Sequence, residues 1–408
     1  MSSQYNPVNY LKLPAYLPAN SPPQVTEMDI FIKLKKIKST ESTHPLDLPN
    51  KLRNEYLCFL VQPLKDIINA CFLNLTFPTK WKEEYVTPIP KIPEPTSISH
   101  LRKISCTSDF SKLFENILKD MILEDSERNF DQSQYGGRKG VGTEHMVVCY
   151  VDRILKLLDS TRQKSAVISS ATDWVSAFDR IDPTILSTKL INIGIRESII
   201  PILIAYLTDR KMIVKYNGAQ SDPRTLIGGA PQGTLLAGIK YNIASSDCAA
   251  KIVSSEDKFR YYDDLNIIEF LILTERLTQY DFNSHVPSDV IANAPFLLPE
   301  KYNMQSYIDE ISDWTQQNKM LVNEKKSNYI IFTRSKEEFS TRLSMNNVPL
   351  ERLSVTKVLG VWLQEDMGWN ENTKQICKKS YSRMSILSKL KYTGICTDDL
   401  ITIYMLFI

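Results

Sequence analysis

The chain is 408 residues long, too much for one ordinary core and suited to two or three subdomains. Its hydrophobic and charged fractions, 43% and 24%, are those of a soluble globular protein, and with a net charge of only +2 any affinity for a polyanion must come from local clustering. Seven cysteines with no Cys-x-x-Cys spacing read as reduced core residues of an intracellular protein, not as a disulfide framework or zinc knuckle; no signal peptide opens the chain, and no apolar run approaches the ~18 residues of a membrane span.

Residues 1–28 hold Pro7, Pro14, Pro18, Pro22 and Pro23 with little periodicity, and read as a loose arm. Leu52–Leu75 has helical spacing in Leu57, Leu60, Val61, Leu64, Ile67 and Ile68. Helices are predicted over Phe110–Glu124 and Met146–Leu158. Ala166, Val167 and Ile168 form an apolar strand that leads to Asp173, and Ile181–Ile193 is helix-like with Pro183 in its first turn. Arg210–Leu226 reads as a basic hairpin turning at Asn217-Gly218. Gly233–Ile252 suits a helix, and Met304–Met320 places Tyr307, Ile308, Ile311 and Trp314 on one helical face. Between them Leu271–Tyr302, with Pro287, Pro295 and Pro299, reads as a surface insertion, either a partner site or a disordered loop. From Lys374 to Lys391 there are six basic residues and no acid, with Ile376, Met384, Leu387 and Leu390 as an opposing stripe. One face of that helix would pack while the other tracks phosphates; a merely solvated face is the alternative.

The chemistry is carried by acids. Tyr261-Tyr262-Asp263-Asp264 puts two carboxylates inside the strand-like run Phe259–Phe270. Ionised carboxylates are costly there unless a cation holds them, although a solvated turn would also accommodate them. Asp173, at the end of a separate apolar strand, is a third acid that a sheet can bring alongside. Oxygen-only ligands suit Mg²⁺ or Mn²⁺, and two such ions about 3.5–4 Å apart support phosphoryl transfer without a protein nucleophile.

These residues resemble the reverse transcriptases, specifically those of non-LTR (LINE-like) retrotransposons. Asp173 to Asp179 is similar to the motif written DFSKAFD, Ala230 to Leu236 to the Pro-Gln-Gly motif, and Tyr261 to Asp264 to the YADD box. Further blocks follow the family in order: Trp81-Lys82 with Val86 to Lys91; Leu101 to Ser105 with Ser111 to Glu115; Gln134 to Gly140 with Thr143; Asn323 to Ser327; and Leu359-Gly360-Val361 with Trp369.

The resemblance implies an α+β right-hand polymerase fold, with fingers, a palm built on an antiparallel sheet, and a truncated helical thumb. On that scheme residues 1–28 are an arm and 29–80 an N-terminal helical extension. Fingers span 81–165, and the palm spans 166–345 with a finger hairpin at 196–228 and the insertion at 271–302. A primer-grip region and thumb occupy 346–408.

It further implies an RNA-directed DNA polymerase that extends a DNA primer with dNTPs on an RNA template, with no membrane partner and acting in the nucleus, the cytoplasm or both. Asp173 and Asp263 would hold two Mg²⁺ (or Mn²⁺) with the backbone carbonyl of Trp174. Asp264 would be a supporting acid or a turn-stabilising one. Lys326 would act as general acid towards pyrophosphate or be a strand-edge lysine. Phe178 would lie under the sugar and exclude a 2′-hydroxyl, disfavouring an RNA polymerase. Gln232 and Gly233 would approach the nucleotide, and Lys91 and Arg102 would clamp its triphosphate. Arg138, Gly360, Lys374, Lys378, Lys379 and Arg383 would contact template and primer. Departures from the family pattern are Tyr262 at a normally small position, Lys103 for Pro, Gly137 for an aromatic, Gly142 for Ser and Ser176 for Lys. They motivate the alternative of an impaired relic that binds nucleic acid without polymerising.

Overall fold

A computed structural model describes residues 22–37, 44–45, 47–126, 129–161, 164–226, 229, 233–249, 253–272, 303–335 and 341–407. Helices α1 (Glu27–Lys36), α2 (Asn50–Glu55) and α3 (Leu57–Asn74) come first, then strands β1 (Glu83–Pro90) and β2 (Leu101–Thr107) and helix α4 (Asp109–Ser126). Helix α5 (Thr143–Asp159) and strand β3 (Ser165–Thr172) precede α6 (Pro183–Ile193) and α7 (Ile200–Leu207). Strands β4 (Arg210–Tyr216), β5 (Ala219–Gln220) and β6 (Arg224–Leu226) lead to α8 (Leu235–Ala244). Next come β7 (Lys258–Tyr261), β8 (Asp264–Ile272), α9 (Met304–Gln317) and β9 (Asn328–Thr333). The short strands β10 (Ser344–Met345), β11 (Val348–Pro349), β12 (Glu351–Leu353), β13 (Val355–Val358) and β14 (Val361–Gln364) precede α10 (Asn370–Tyr392) and α11 (Thr397–Phe407). Most of the segments read as the arm and the insertion lies outside the described residues. Among the described residues no helix is long and apolar enough to cross a membrane.

The chain divides into two compact units. The first draws on residues 1–137, 174–251 and 313–322. Its sheet runs β2-β1-β4-β5, with β6 on β4. β1 pairs antiparallel with β2 and parallel with β4, the latter ending at Val86↔Val214, just before Pro88, which has no N–H to offer. Leu113, Phe114, Ile117, Leu118 and Ile122 of α4 are buried. Phe114 stacks on Phe77 at 5.0 Å and meets Phe72 edge-on at 5.5 Å. The helix expected over Leu52–Leu75 is two helices broken at Tyr56; its buried face is Leu57, Val61, Leu64, Ile68, Cys71 and Phe72, while Ile67 is exposed. Arg210 and Glu84, both buried, pair at 3.0 Å.

The second unit draws on residues 138–173, 252–312 and 323–408. Its five-stranded sheet has the order β12-β9-β3-β8-β7. β3 is central, antiparallel to both β8 and β9, so Ala166, Val167 and Ile168 are covered on both faces. Tyr150 of α5 donates its hydroxyl to Ser169 at 2.7 Å, and burial pushes that phenol up from its ordinary value. Two expectations need correction. Helix α10 buries no side chain, and Ile376 and Met384 of its expected packing stripe are exposed. Its first turn is tied down by the Trp362 N–H to Asn372 and the Glu371 N–H to Gln364. Of the seven cysteines only Cys71 and Cys248 are buried; Cys58, Cys149, Cys377 and Cys396 are exposed, so they are not core residues as a class.

Candidate active site

The register of the second unit's sheet places its acids. β3 and β8 pair up to Thr172↔Leu265, and β7 and β8 up to Tyr261↔Asp264. One step beyond Thr172, Asp173 therefore stands level with Asp264 on the same face, at the end where β7 turns into β8. Only Tyr262 and Asp263 separate the two strands, and Tyr262 takes the left-handed conformation at φ 53°. That conformation is unfavourable for a bulky residue, and here a two-residue turn imposes it.

Electrostatics register the crowding. The Asp264 carboxyl is pushed up to about 6 by the protein packed around it and by the nearby Asp263 and Asp173 carboxylates. Asp263 and Asp264 are nonetheless exposed and Asp173 half-buried, so solvent weakens the desolvation share and leaves the mutual repulsion. Among the described residues no three His, Cys, Asp or Glu side chains form a preassembled metal cage. Three carboxylates that repel one another fit a divalent cation by charge, and their all-oxygen donor set fits Mg²⁺ or Mn²⁺ by chemistry.

The backbone of Asp173 is held from the Asn323–Ser327 turn. Its N–H donates to Ser327 Oγ at 3.1 Å, and its carbonyl accepts the Asn323 N–H at 2.8 Å. Lys326, on that same turn, is exposed and donates its own N–H to Asn323 O at 3.0 Å. Arg138, Lys374, Lys378, Lys379 and Arg383 are exposed elsewhere in this unit. Gly360 occupies the β13–β14 turn at φ 100°, which an L-residue resists.

In the first unit Trp174 bridges to Val322, yet the bonds flanking the bridge include Val175 N–H to Leu321 O at 2.9 Å. In this wide pairing Trp174 exchanges no bond with Val322, so its carbonyl is turned away from that strand. Its indole packs edge-on against Trp314 at 5.8 Å, and Trp314 Nε1 donates to Asp247 at 2.8 Å. Phe178 sits on a 3-10 turn, Ala177–Arg180, with its ring 5.0 Å from that of Tyr241 on α8. Gly229 at φ 85° abuts the turn so closely that a Cβ would lie 2.8 Å from Asp179 O. Gly233 has φ 93°, and its missing Cβ would stand 3.9 Å from Ser105 O on β2. Gln232 lies outside the described residues, as do Ala230 and Pro231. Lys91 and Arg102 are exposed where β1 and β2 meet; Lys91 donates its N–H to His100 O at 2.8 Å, and Arg102 faces Ile89.

The structure thus brings Asp173, Asp263 and Asp264 together, with Lys326 on the turn that clamps Asp173. It keeps Phe178, Gly233, Lys91 and Arg102 within the first unit. Sequence reasoning missed two features. Ser327 anchors Asp173, which the Asn-x-x-Lys-Ser block had signalled only through Lys326. Lys103, noted merely as a departure, donates to Asp179 at 2.6 Å.

Residues 89–363 match the family described as reverse transcriptase (RNA-dependent DNA polymerase). Relatives from Drosophila melanogaster include the probable RNA-directed DNA polymerase from transposon BS, 25% identical over 338 residues, covering 79% of this chain and 34% of the relative. The corresponding protein from transposon X-element is 26% identical over 342 residues, covering 80% and 34%. The RNA-directed DNA polymerase from mobile element jockey is 21% identical over 411 residues, covering 95% and 42%. The chain therefore spans about a third of the length of the first two relatives. Among solved structures, apo telomerase from Candida Tropicalis truncated from its C-terminal domain aligns with a TM-score of 0.43 at 12% identity, over 71% of this chain and 56% of that one. With more than half of its length matched to the family, the chain belongs to the reverse transcriptases, and its fold is α+β.

Proposed function

We propose that this chain is the polymerising segment of a non-LTR retrotransposon protein. It extends a DNA primer 3′-hydroxyl with dNTPs on an RNA template. The observation that carries this reading is the convergence of Asp173, Asp263 and Asp264 at one end of a buried sheet. Asp173 and Asp263, with Asp264 in support and the Trp174 carbonyl beside Asp173, would hold two Mg²⁺, with Mn²⁺ as a substitute. When bound, those ions supply activation of the 3′-hydroxyl and neutralisation of the pyrophosphate charge. The chain's own residues orient the reactants. The Asn323–Ser327 turn fixes the Asp173 backbone, so its carboxylate needs little reorganisation. Phe178, braced by Tyr241, fills the space under the sugar and rejects a 2′-hydroxyl by volume. Lys326 delivers a proton to the departing pyrophosphate. Lys91, Arg102, Gln232 and Gly233 bind the triphosphate end, while Arg138, Gly360 and the α10 cations meet template and primer.

Primer extension of oligo(dT) on poly(rA) in Mg²⁺ tests this. Wild type should incorporate dTTP, and Asp263→Ala should lose at least about a hundredfold of the rate. Equal extension by the two proteins would refute the assignment. One observation favours a second reading: the bulky Tyr262 at φ 53° stands next to Asp263. A relic of this kind would bind primer-template with steep salt dependence and incorporate nothing even in Mn²⁺.

A further inference from the structure

Side chains alternate across a strand, so on β2 Lys103 and Ser105 share one face while Arg102 and Ile104 take the other. The Lys103 contact identifies which face meets the turn around Phe178. Lys103 Nζ donates to Asp179 Oδ2 at 2.6 Å, one residue beyond Phe178. The β2 backbone also approaches Gly233, whose missing Cβ would stand 3.9 Å from the Ser105 carbonyl. Glu84, buried on the same face, feels the charges of both Lys103 and Asp179, but its own carboxylate is already paired with Arg210 at 3.0 Å. Lys103 is therefore the β2 cation on the side of the sugar-facing turn; Arg102 starts from the opposite face.

The ion pair is built to be exchanged. Its side chains are 48% and 31% exposed, and pairs this wet hold weakly. Asp179 cannot follow a departing partner, since its N–H donates to Ser176 O at 2.9 Å and Gly229 is wedged against its backbone. Lys103 has a four-carbon stem and three donors, so it is the partner that moves.

We propose that Lys103 is a triphosphate-binding residue of this chain, stored on Asp179 until a nucleoside triphosphate at the Phe178 and Gly233 turns takes its ammonium. This rests on the nucleotide-binding part of the polymerase reading. The family's usual proline has no charge to offer here, so the contact is particular to this sequence.

Equilibrium binding of a fluorescent dATP, measured in Ca²⁺ without primer, tests it for wild type, Lys103→Met, Asp179→Asn and the double variant. Lys103→Met should weaken binding about tenfold, the effect of one charge-assisted hydrogen bond. Asp179→Asn should strengthen it about threefold, because the competing carboxylate is gone, and the double variant should behave like Lys103→Met. A merely structural tether predicts that both single variants weaken binding alike, and that result would overturn the proposal. So would unchanged binding by Lys103→Met, or no nucleotide binding by wild type. A parallel titration with oligo(dT) separates the phosphate sources: loss of oligonucleotide affinity equal to the nucleotide loss would reassign Lys103 to the nucleic-acid backbone. Thermal melting verifies that each variant is folded. If the expected pattern appears while wild type extends no primer, the polymerase reading fails and the Lys103 assignment stands.

Discussion

Asp264→Asn removes one of three crowded carboxylates at almost constant shape. In the folded chain this carboxyl is raised from 3.8 to about 6. A proton held more tightly in the folded than in the unfolded chain favours folding below the unfolded value, and that advantage is lost as pH rises through about 6. For a buried group the shift would be worth about 3 kcal/mol. Asp264 is exposed, so solvent screening leaves about 1 kcal/mol. The asparagine variant should therefore melt about 2 °C above wild type at pH 8. The gap should close as the pH approaches 4, where both side chains are neutral. Millimolar Mg²⁺ should stabilise wild type more than the variant and narrow the gap at pH 8, because the cation answers the same repulsion. Scanning calorimetry at the two pH values, with and without Mg²⁺, measures all of this. Coincident melting at pH 8, or a variant that melts lower, would refute the picture of three mutually repelling carboxylates.

Other perturbations probe the scaffold around the site. Gly229→Ala places a methyl 2.8 Å from Asp179 O at φ 85°, and should cost at least about 2 kcal/mol, read as a lowered melting temperature. Arg210→Met strands the buried Glu84 without its cation and should cost about 3–5 kcal/mol, whereas Arg210→Met with Glu84→Gln should recover most of that; equal melting of the two would be the contrary result. Phe178→Ala should relax discrimination between dNTP and rNTP by about a hundredfold in steady-state primer extension, leaving incorporation of dNTP active.

The parts of the fold that read from sequence are those governed by local pattern. An apolar run ended by Asp173 needs only period, and β3 appears where expected, at Ser165–Thr172. The α4 and α5 helices lie within two or three residues of their predicted limits, because their stripes are buried in full. What did not read depends on distant partners. The parallel pairing of β1 with β4 joins residues more than a hundred positions apart, and no local signal specifies it. Lys103 on Asp179, and Ser327 on the Asp173 backbone, are likewise products of the assembled fold. The expected cover for Ile376 and Met384 failed for the converse reason: an apolar stripe states a need for burial without supplying the surface that meets it.

Helix α10 follows a different rule from the rest of the chain. Its 23 residues extend about 34 Å, with six cations after its lone acid, Glu371, and no buried side chain. After Glu371, which pairs with Lys374 and Gln375 in the first turn, the helix itself carries no acid to offset that charge. Its order is therefore conditional. A polyanion laid along it would relieve the strain and wind it tighter, so circular dichroism should report the arrival of a duplex as a gain in helicity that salt erases.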